Sequence, residues 1–313
     1  METFQENGIA EHLSHLEGGP ACCLQIMRFI TGLDPKVREY RWLVAMDFEI
    51  IQAVVDESGY AAADARYPDD VFVFAGYMGS IIDWAHFTHA WKPVIEEHPE
   101  LQDAEFVKGL MRWQGPKSDP RALALMNAVV KCRHLRSVRW KLPYRAIREG
   151  ANRAPGEEEM YFFAWSAVLT HAVATILQIR NARLEFIYDQ NIYEEARVQN
   201  AYVNYRRAMV RAVPEIADRL ALRARPMNDA EFWPLRAADA LAWNTHRHWI
   251  QATKKKRFSN PLWQLIDAGP KVIDQEWTTE DVRDLIGDTS AQEKLLDRKI
   301  RRMFEKAKLK VRR

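Results

Sequence analysis

The chain has 313 residues, 48% of them hydrophobic and 28% charged, with a formal net charge of +2. Such a composition excludes an intrinsically disordered chain, because it can bury enough apolar surface to offset chain entropy. The near-neutral balance names no partner by itself, and Cys22, Cys23 and Cys132 are too few to form a disulfide framework, which points to a reducing, cytoplasmic setting.

Residues 1–45 read as an N-terminal extension, broken at Glu17-Gly18-Gly19-Pro20 and at Asp34-Pro35, with a short helix-like stretch from Ala21 to Thr31. No basic start leads into an apolar core there, so no secretory signal is expected. The main domain is expected over 46–250. Its first strand is Glu49 to Val55, stopped by the turn composition Asp56-Glu57-Ser58-Gly59. Val71 to Tyr77 is a second buried strand, joined to the first by a hairpin-type connection. Ser80 to Glu97 reads as a helix with Trp84, Phe87, Trp91 and Ile95 on its core face. Phe106 to Trp113 and Ser137 to Tyr144 are weaker strands, with a helix from Pro120 to Leu135 between them.

Met160 to Ile179 is long enough to span a bilayer. Ser166, Thr170, His171 and Gln178 interrupt it and three glutamates precede it, so a buried core helix is expected and no membrane partner. Leu184 to Tyr188 is a short strand ending at Asp189, followed by an amphipathic helix from Glu194 to Val213. Leu220 to Arg225 is a last strand, and Leu235 to Trp249 a helix. Alternating strands and helices of this kind suit an α/β fold, a mixed sheet flanked by helices. Residues 251–313 read as a basic helical C-terminal extension. Lys254-Lys255-Lys256-Arg257 is one basic run. Leu296, Ile300, Met303, Phe304, Ala307 and Val311 form the apolar face of a terminal helix otherwise rich in Lys and Arg. That helix reads equally well as a phosphate-contacting arm or as a solvated amphipathic end.

Three carboxylates carry the chemistry. Asp56 and Asp189 each end a buried strand, where open α/β sheets build their sites. Asp239 lies between Ala238 and Ala240, small neighbours that let a helix lie close on a sheet. Taken singly, Asp56 could serve a turn, Asp189 could cap the next helix and Asp239 could be solvated. Brought together, two carboxylates about 4 Å apart repel by roughly 4 kcal/mol at an effective dielectric near 20. A cation relieves that repulsion, and oxygen-only ligands select Mg2+ or Mn2+. Such ions can activate water and stabilise the leaving oxygen of a phosphodiester.

The sequence resembles the bacterial family called domain of unknown function 3800 (DUF3800), grouped with ribonuclease H-like folds, over about Phe48 to Trp249. The resemblance rests on Val54-Val55-Asp56-Glu57-Ser58-Gly59, on Val71-Phe72-Val73-Phe74-Ala75-Gly76-Tyr77 followed by a Trp-bearing helix, on Phe186-Ile187-Tyr188-Asp189, and on Leu235-Arg236-Ala237-Ala238-Asp239-Ala240-Leu241-Ala242-Trp243. It implies a ribonuclease H-like mixed sheet with one metal-binding Asp on the first strand, one on the fourth and one on the final helix. Asp56, Asp189 and Asp239 match those places. Two departures stand out: Arg236 replaces a Gln common in the family, and Pro226-Met227-Asn228-Asp229 replaces a Ser-Lys pair.

Glu57 is an auxiliary ligand if the strand ends there, and otherwise a turn residue. Arg236 could contact a phosphate, pair with a site carboxylate, or occupy the metal's place. Lys254 and Lys255 are further substrate-binding candidates, and His246, two turns beyond Asp239, is an auxiliary proton carrier or a surface histidine. His12, His15, Cys22 and Cys23 fit no standard zinc module. The expected function is a divalent-metal-dependent phosphodiesterase, most simply a nuclease acting on DNA or RNA. The alternative is a non-catalytic nucleic-acid- or protein-binding module on the same fold.

Overall fold

The computed structural model describes residues 50–59, 70–112, 118–132, 135–153, 156–176, 182–190, 195–253, 260–269 and 271–286. A six-stranded mixed sheet organises them, in the order β5-β4-β1-β2-β3-β6. The strands are β1 (Ile50–Ser58), β2 (Val71–Ser80), β3 (Arg136–Pro143), β4 (Arg183–Asp189), β5 (Arg225–Met227) and β6 (Lys271–Glu276). β2 runs antiparallel to both β1 and β3, whereas β4 is parallel to β1, β5 to β4 and β6 to β3. The helices are α1 (Ile81–Glu97), α2 (Ala104–Arg112), α3 (Pro120–Lys131), α4 (Tyr144–Ala151), α5 (Glu157–Ile176), α6 (Glu195–Ala212), α7 (Trp233–Thr253), α8 (Pro261–Ala268) and α9 (Thr279–Ile286).

Strand periodicity divides the core in two, since successive side chains point to opposite faces. One face carries Ile51, Ala53 and Val55 of β1, Phe72 and Phe74 of β2, and Phe186 and Tyr188 of β4, and it packs on α5 and α6. Trp165 of α5 sits at its centre, with its ring edge-on to Phe74, Phe186 and Tyr202 at 5.1, 5.5 and 5.2 Å. Such pairs add about 0.5–1.5 kcal/mol each beyond their burial. The apolar run that could have spanned a bilayer is thus a core helix. Among the described residues no helix is long and apolar enough to cross a membrane.

The other face carries Val54 of β1, Val73, Ala75 and Tyr77 of β2, and Ile187 of β4, beneath α1, α2, α3, α7 and α8. α1 starts at a capping box, in which Ser80 Oγ accepts from the Asp83 N–H and Asp83 Oδ2 accepts from the Ser80 N–H. Its Trp84, Phe87, Trp91 and Ile95 are all buried, as their spacing foretold. α7 lies close on β1 and β2 because Ala237, Ala238, Ala240 and Ala242, all fully buried, add little bulk to its underside.

Several boundaries differ from the sequence reading. Phe106 to Trp113, expected as a strand, is helical through Arg112: Ala104, Val107 and Met111 are buried at helical spacing. The expected strand from Leu220 reduces to β5, preceded by an isolated bridge from Leu220 to Leu184. β1 continues past Val55 to Ser58 and turns only at Gly59, whose φ of +98° suits glycine. α8, β6 and α9 fall within the expected C-terminal extension, and β6 adds a strand to the same sheet, so the folded unit runs on past 250. The N-terminal extension, the Lys254–Arg257 run and the terminal basic helix lie outside the described residues.

Candidate functional site

The parallel pairing of β1 with β4 runs through Val55 opposite Tyr188, so Asp56 and Asp189 follow side by side. Neighbouring strands stand about 4.8 Å apart. Asp56 shares a face with Val54, and Asp189 with Ile187, which is the face covered by α7. Asp239 descends from that helix onto the same end of the sheet. All three are buried, at 6%, 5% and 3% exposure. The sequence therefore brings its three candidate aspartates to one place.

Their proximity shows in their acidity. Burial first, and then the charges of Glu57, Asp239 and Asp189, raise the Asp56 carboxyl well above its ordinary range. The Glu57 N–H donates to Asp56 Oδ1 at 2.8 Å, which opposes that rise. Glu57 is pushed up to about 8, mostly by burial, with Asp189 and Asp239 adding to it. Burial also raises Asp239, against the pull of Arg112 and Lys108. Among the described residues, Asp239 Oδ2 and Glu57 Oε2 are buried without a hydrogen-bond partner.

Two cations from α2 answer these charges. Lys108 Nζ lies 2.7 Å from Asp229 Oδ2 and 3.8 Å from Asp189 Oδ2. Arg112 Nη2 lies 2.6 Å from Asp239 Oδ1. Burial disfavours both cations, but their carboxylate partners outweigh it and hold each pKa above the ordinary value. Asn244 of α7 fastens this helix in place by donating to the Met111 carbonyl at 3.3 Å. With the carboxylates disposed in this way, no group of three or more His, Cys, Asp or Glu side chains among the described residues could hold a metal ion.

Arg236 stands elsewhere. It is 1% exposed, and its guanidinium donates to the carbonyls of Asp229, Leu101, Gln102 and Ala230 at 2.8–3.0 Å. It ties the start of α7 to the 3-10 turn Pro99–Gln102 and to the loop before α7. A guanidinium spent on four main-chain acceptors is not offered to a phosphate, and it does not fill the space between the aspartates, so it is a structural tie rather than a substrate contact. His246 is paired at 2.8 Å with Asp70, just before β2, and its Nε2 lies 3.5 Å from where a side chain on Gly59 would begin. It thus flanks the β1–β2 connection. Lys254 and Lys255 lie outside the described residues.

Sequence reasoning missed Lys108, Arg112, Asp229 and Asp70. Lys108 and Arg112 are four apart, one helical turn, and reading 104–112 as a helix would have put both on one face. No protein-family model matches the chain, and neither does any curated protein.

Proposed function

We propose that this chain is a divalent-metal-dependent phosphodiesterase with a ribonuclease H-like fold, most simply a nuclease. The observation that carries the reading is the convergence of Asp56, Asp189 and Asp239, from β1, β4 and α7, at one end of one sheet face. The DUF3800 resemblance implies the same three aspartates, although two helices, α8 and α9, follow the one that carries Asp239. The unpartnered Asp239 Oδ2 and the raised carboxyls of Asp56 and Glu57 also support it, because a cluster that resists ionisation is one that a cation stabilises.

In this reading Asp56, Asp189 and Asp239 would draw together on Mg2+ or Mn2+, since as disposed here they do not themselves form a three-ligand group, and Glu57, inside β1 rather than beyond its end, is not counted as a ligand. When bound, the metal polarises the phosphoryl group and makes water nucleophilic near neutral pH. The protein's own share is positional. β1 and β4 fix two carboxylates on rigid backbone, and the alanine underside of α7 sets the depth of the third. Lys108 is held by Asp229 beside Asp189, where it supplies positive charge for a nucleic-acid backbone. Lys254 and Lys255, a basic run in the sequence, are further candidates for contact with substrate phosphates.

The test is hydrolysis of end-labelled DNA and RNA, in Mg2+ or Mn2+ and in chelator, by the wild type, Asp56→Asn and Asp189→Asn. Cleavage confined to the wild type with metal is the expected result. Cleavage that survives chelator or either substitution overturns the reading. A second reading, a non-catalytic nucleic-acid-binding module, draws on the ion pairs from Lys108 and Arg112, which already balance part of the acidic charge. Metal-independent binding without cleavage would favour it.

A further inference from the structure

The sheet ends at β5, and the chain leading into that strand is rich in arginine: Arg219, Arg223 and Arg225 follow one another with no acidic residue between Asp218 and Asp229. This segment lies along β4 as the margin of the sheet. The Leu184 N–H donates to the Arg219 carbonyl at 2.7 Å, the Ala221 N–H donates to the Leu184 carbonyl at 3.0 Å, and Arg225–Met227 pair with Ile187–Asp189. Side chains of α6 pin it from behind. Arg206 donates to the carbonyls of Ala217 and Leu220, Tyr202 to that of Ala221 at 2.8 Å, and Gln199 to that of Ala224 at 2.6 Å. Between those last two anchors the chain turns Leu222 and Arg223 out to solvent, with Leu222 71% exposed.

The arginines here fall into two groups. Arg206 and Arg219 are spent on main-chain carbonyls, Arg219 on those of Ala182 and Ile176. The side chains of Arg223 and Arg225 have no ion pair or hydrogen bond among the described residues. Register partners in a parallel pair share a face, so Arg225, opposite Ile187, stands on the face of Asp56 and Asp189. Met227, two residues and about 7 Å further on, is the register partner of Asp189 itself. Unspent guanidiniums thus lead along the edge towards the carboxylates.

We propose that the β5 edge is the path of a single nucleic-acid strand, with Arg223 and Arg225 on its phosphates and Leu222 against a base or sugar. The proposal rests on the nucleic-acid reading of this protein and names how the strand is held; it calls on no metal. A guanidinium fork matches the non-bridging oxygens of a phosphate bidentately. The buried carboxylates by themselves repel a polyanion, so holding it falls to cations outside their cluster. Two guanidiniums beside an exposed leucine suit a ligand that alternates anionic and apolar parts. Inorganic phosphate would leave Leu222 uncovered, and a duplex keeps its base faces stacked, whereas a single strand can offer both parts at once. Because α6 already braces the segment, binding orders little new chain.

The experiment titrates short fluorescein-labelled single-stranded DNA and RNA with the full chain in chelator, at a series of salt concentrations, and reads fluorescence anisotropy. The proteins are the wild type, Arg223→Gln with Arg225→Gln, the same pair changed to Lys, and Arg145→Gln with Arg148→Gln. The last removes equal charge from exposed positions on α4, beyond β3 and away from the β5 edge. The edge Gln variant should bind about tenfold more weakly for each arginine removed. Its slope of log affinity against log salt should flatten by about 1.4, since each phosphate neutralised on a single strand contributes about 0.7. The Lys pair should restore the slope, the α4 variant should bind as the wild type does, and urea unfolding of the edge variants should match the wild type. Unchanged binding by the edge Gln variant, or an equal loss in the α4 variant, overturns the path and leaves the nucleic-acid reading standing. Displacement of the labelled strand by poly-glutamate as readily as by unlabelled DNA overturns the path in favour of an acidic protein partner. A wild type that binds neither DNA nor RNA at low salt overturns both the path and the nucleic-acid reading.

Discussion

Replacing Glu57 by Gln should stabilise the metal-free protein in neutral and alkaline buffer while leaving it unchanged in acid. Glu57 is the last residue but one of β1, with Oε2 buried and unpartnered among the described residues, and its carboxyl is raised from about 4.5 to about 8. The unfolded chain therefore releases this proton before the folded one does. Stability contributed by the group is highest below about pH 4.5, falls as pH rises towards 8, and is level above that. At 1.36 kcal/mol per unit, the full shift corresponds to about 5 kcal/mol. Because Glu57 is only partly buried, solvent screening reduces the expected difference to roughly 2–3 kcal/mol. Urea unfolding in chelator across this pH range should give curves for wild type and Glu57→Gln that meet in acid and separate above neutrality, with the variant the more stable. Parallel curves, or a wild type that is the more stable at pH 8, would refute the reasoning.

Arg236→Met should cost roughly 3 kcal/mol or more in urea unfolding, since it leaves the carbonyls of Asp229, Leu101, Gln102 and Ala230 without their donor; Arg236→Lys should recover little, because an ammonium lacks the planar fork. Lys108→Met removes the cation paired with two buried carboxylates and should cost about 3 kcal/mol at neutral pH, with added Mn2+ returning part of the loss in a thermal melt. Ser80→Ala removes half of the capping box of α1 and should lower stability by about 1 kcal/mol without altering Mn2+ affinity.

Four of the six strands could be read from the sequence because each is a buried apolar run: β1 through Val54 and Val55, β2 through Val71 to Tyr77, β3 around Trp140, and β4 through Phe186 to Tyr188. The three aspartates were legible for the same reason, since two of them close such runs. β6 was not, because Lys271–Glu276 is a polar edge strand whose partner, β3, lies far away in sequence. α2 was missed because Phe106 and Val107 are strand-favouring neighbours and Gly109 interrupts the helical pattern. With α2 misread, Lys108 and Arg112 stayed invisible, because their role depends on a tertiary approach to Asp229 and Asp239. Arg236 looked like a phosphate ligand because the sequence shows an arginine beside an acidic site. It does not show the carbonyls of the turn at Leu101 that take up its donors.

The most direct measurement is anomalous diffraction from a crystal soaked in Mn2+, collected near the manganese absorption edge. A peak coordinated by Asp56, Asp189 and Asp239 is the expected result. A fully occupied crystal lattice soaked in millimolar Mn2+ with no peak at these carboxylates would contradict the three-carboxylate metal site.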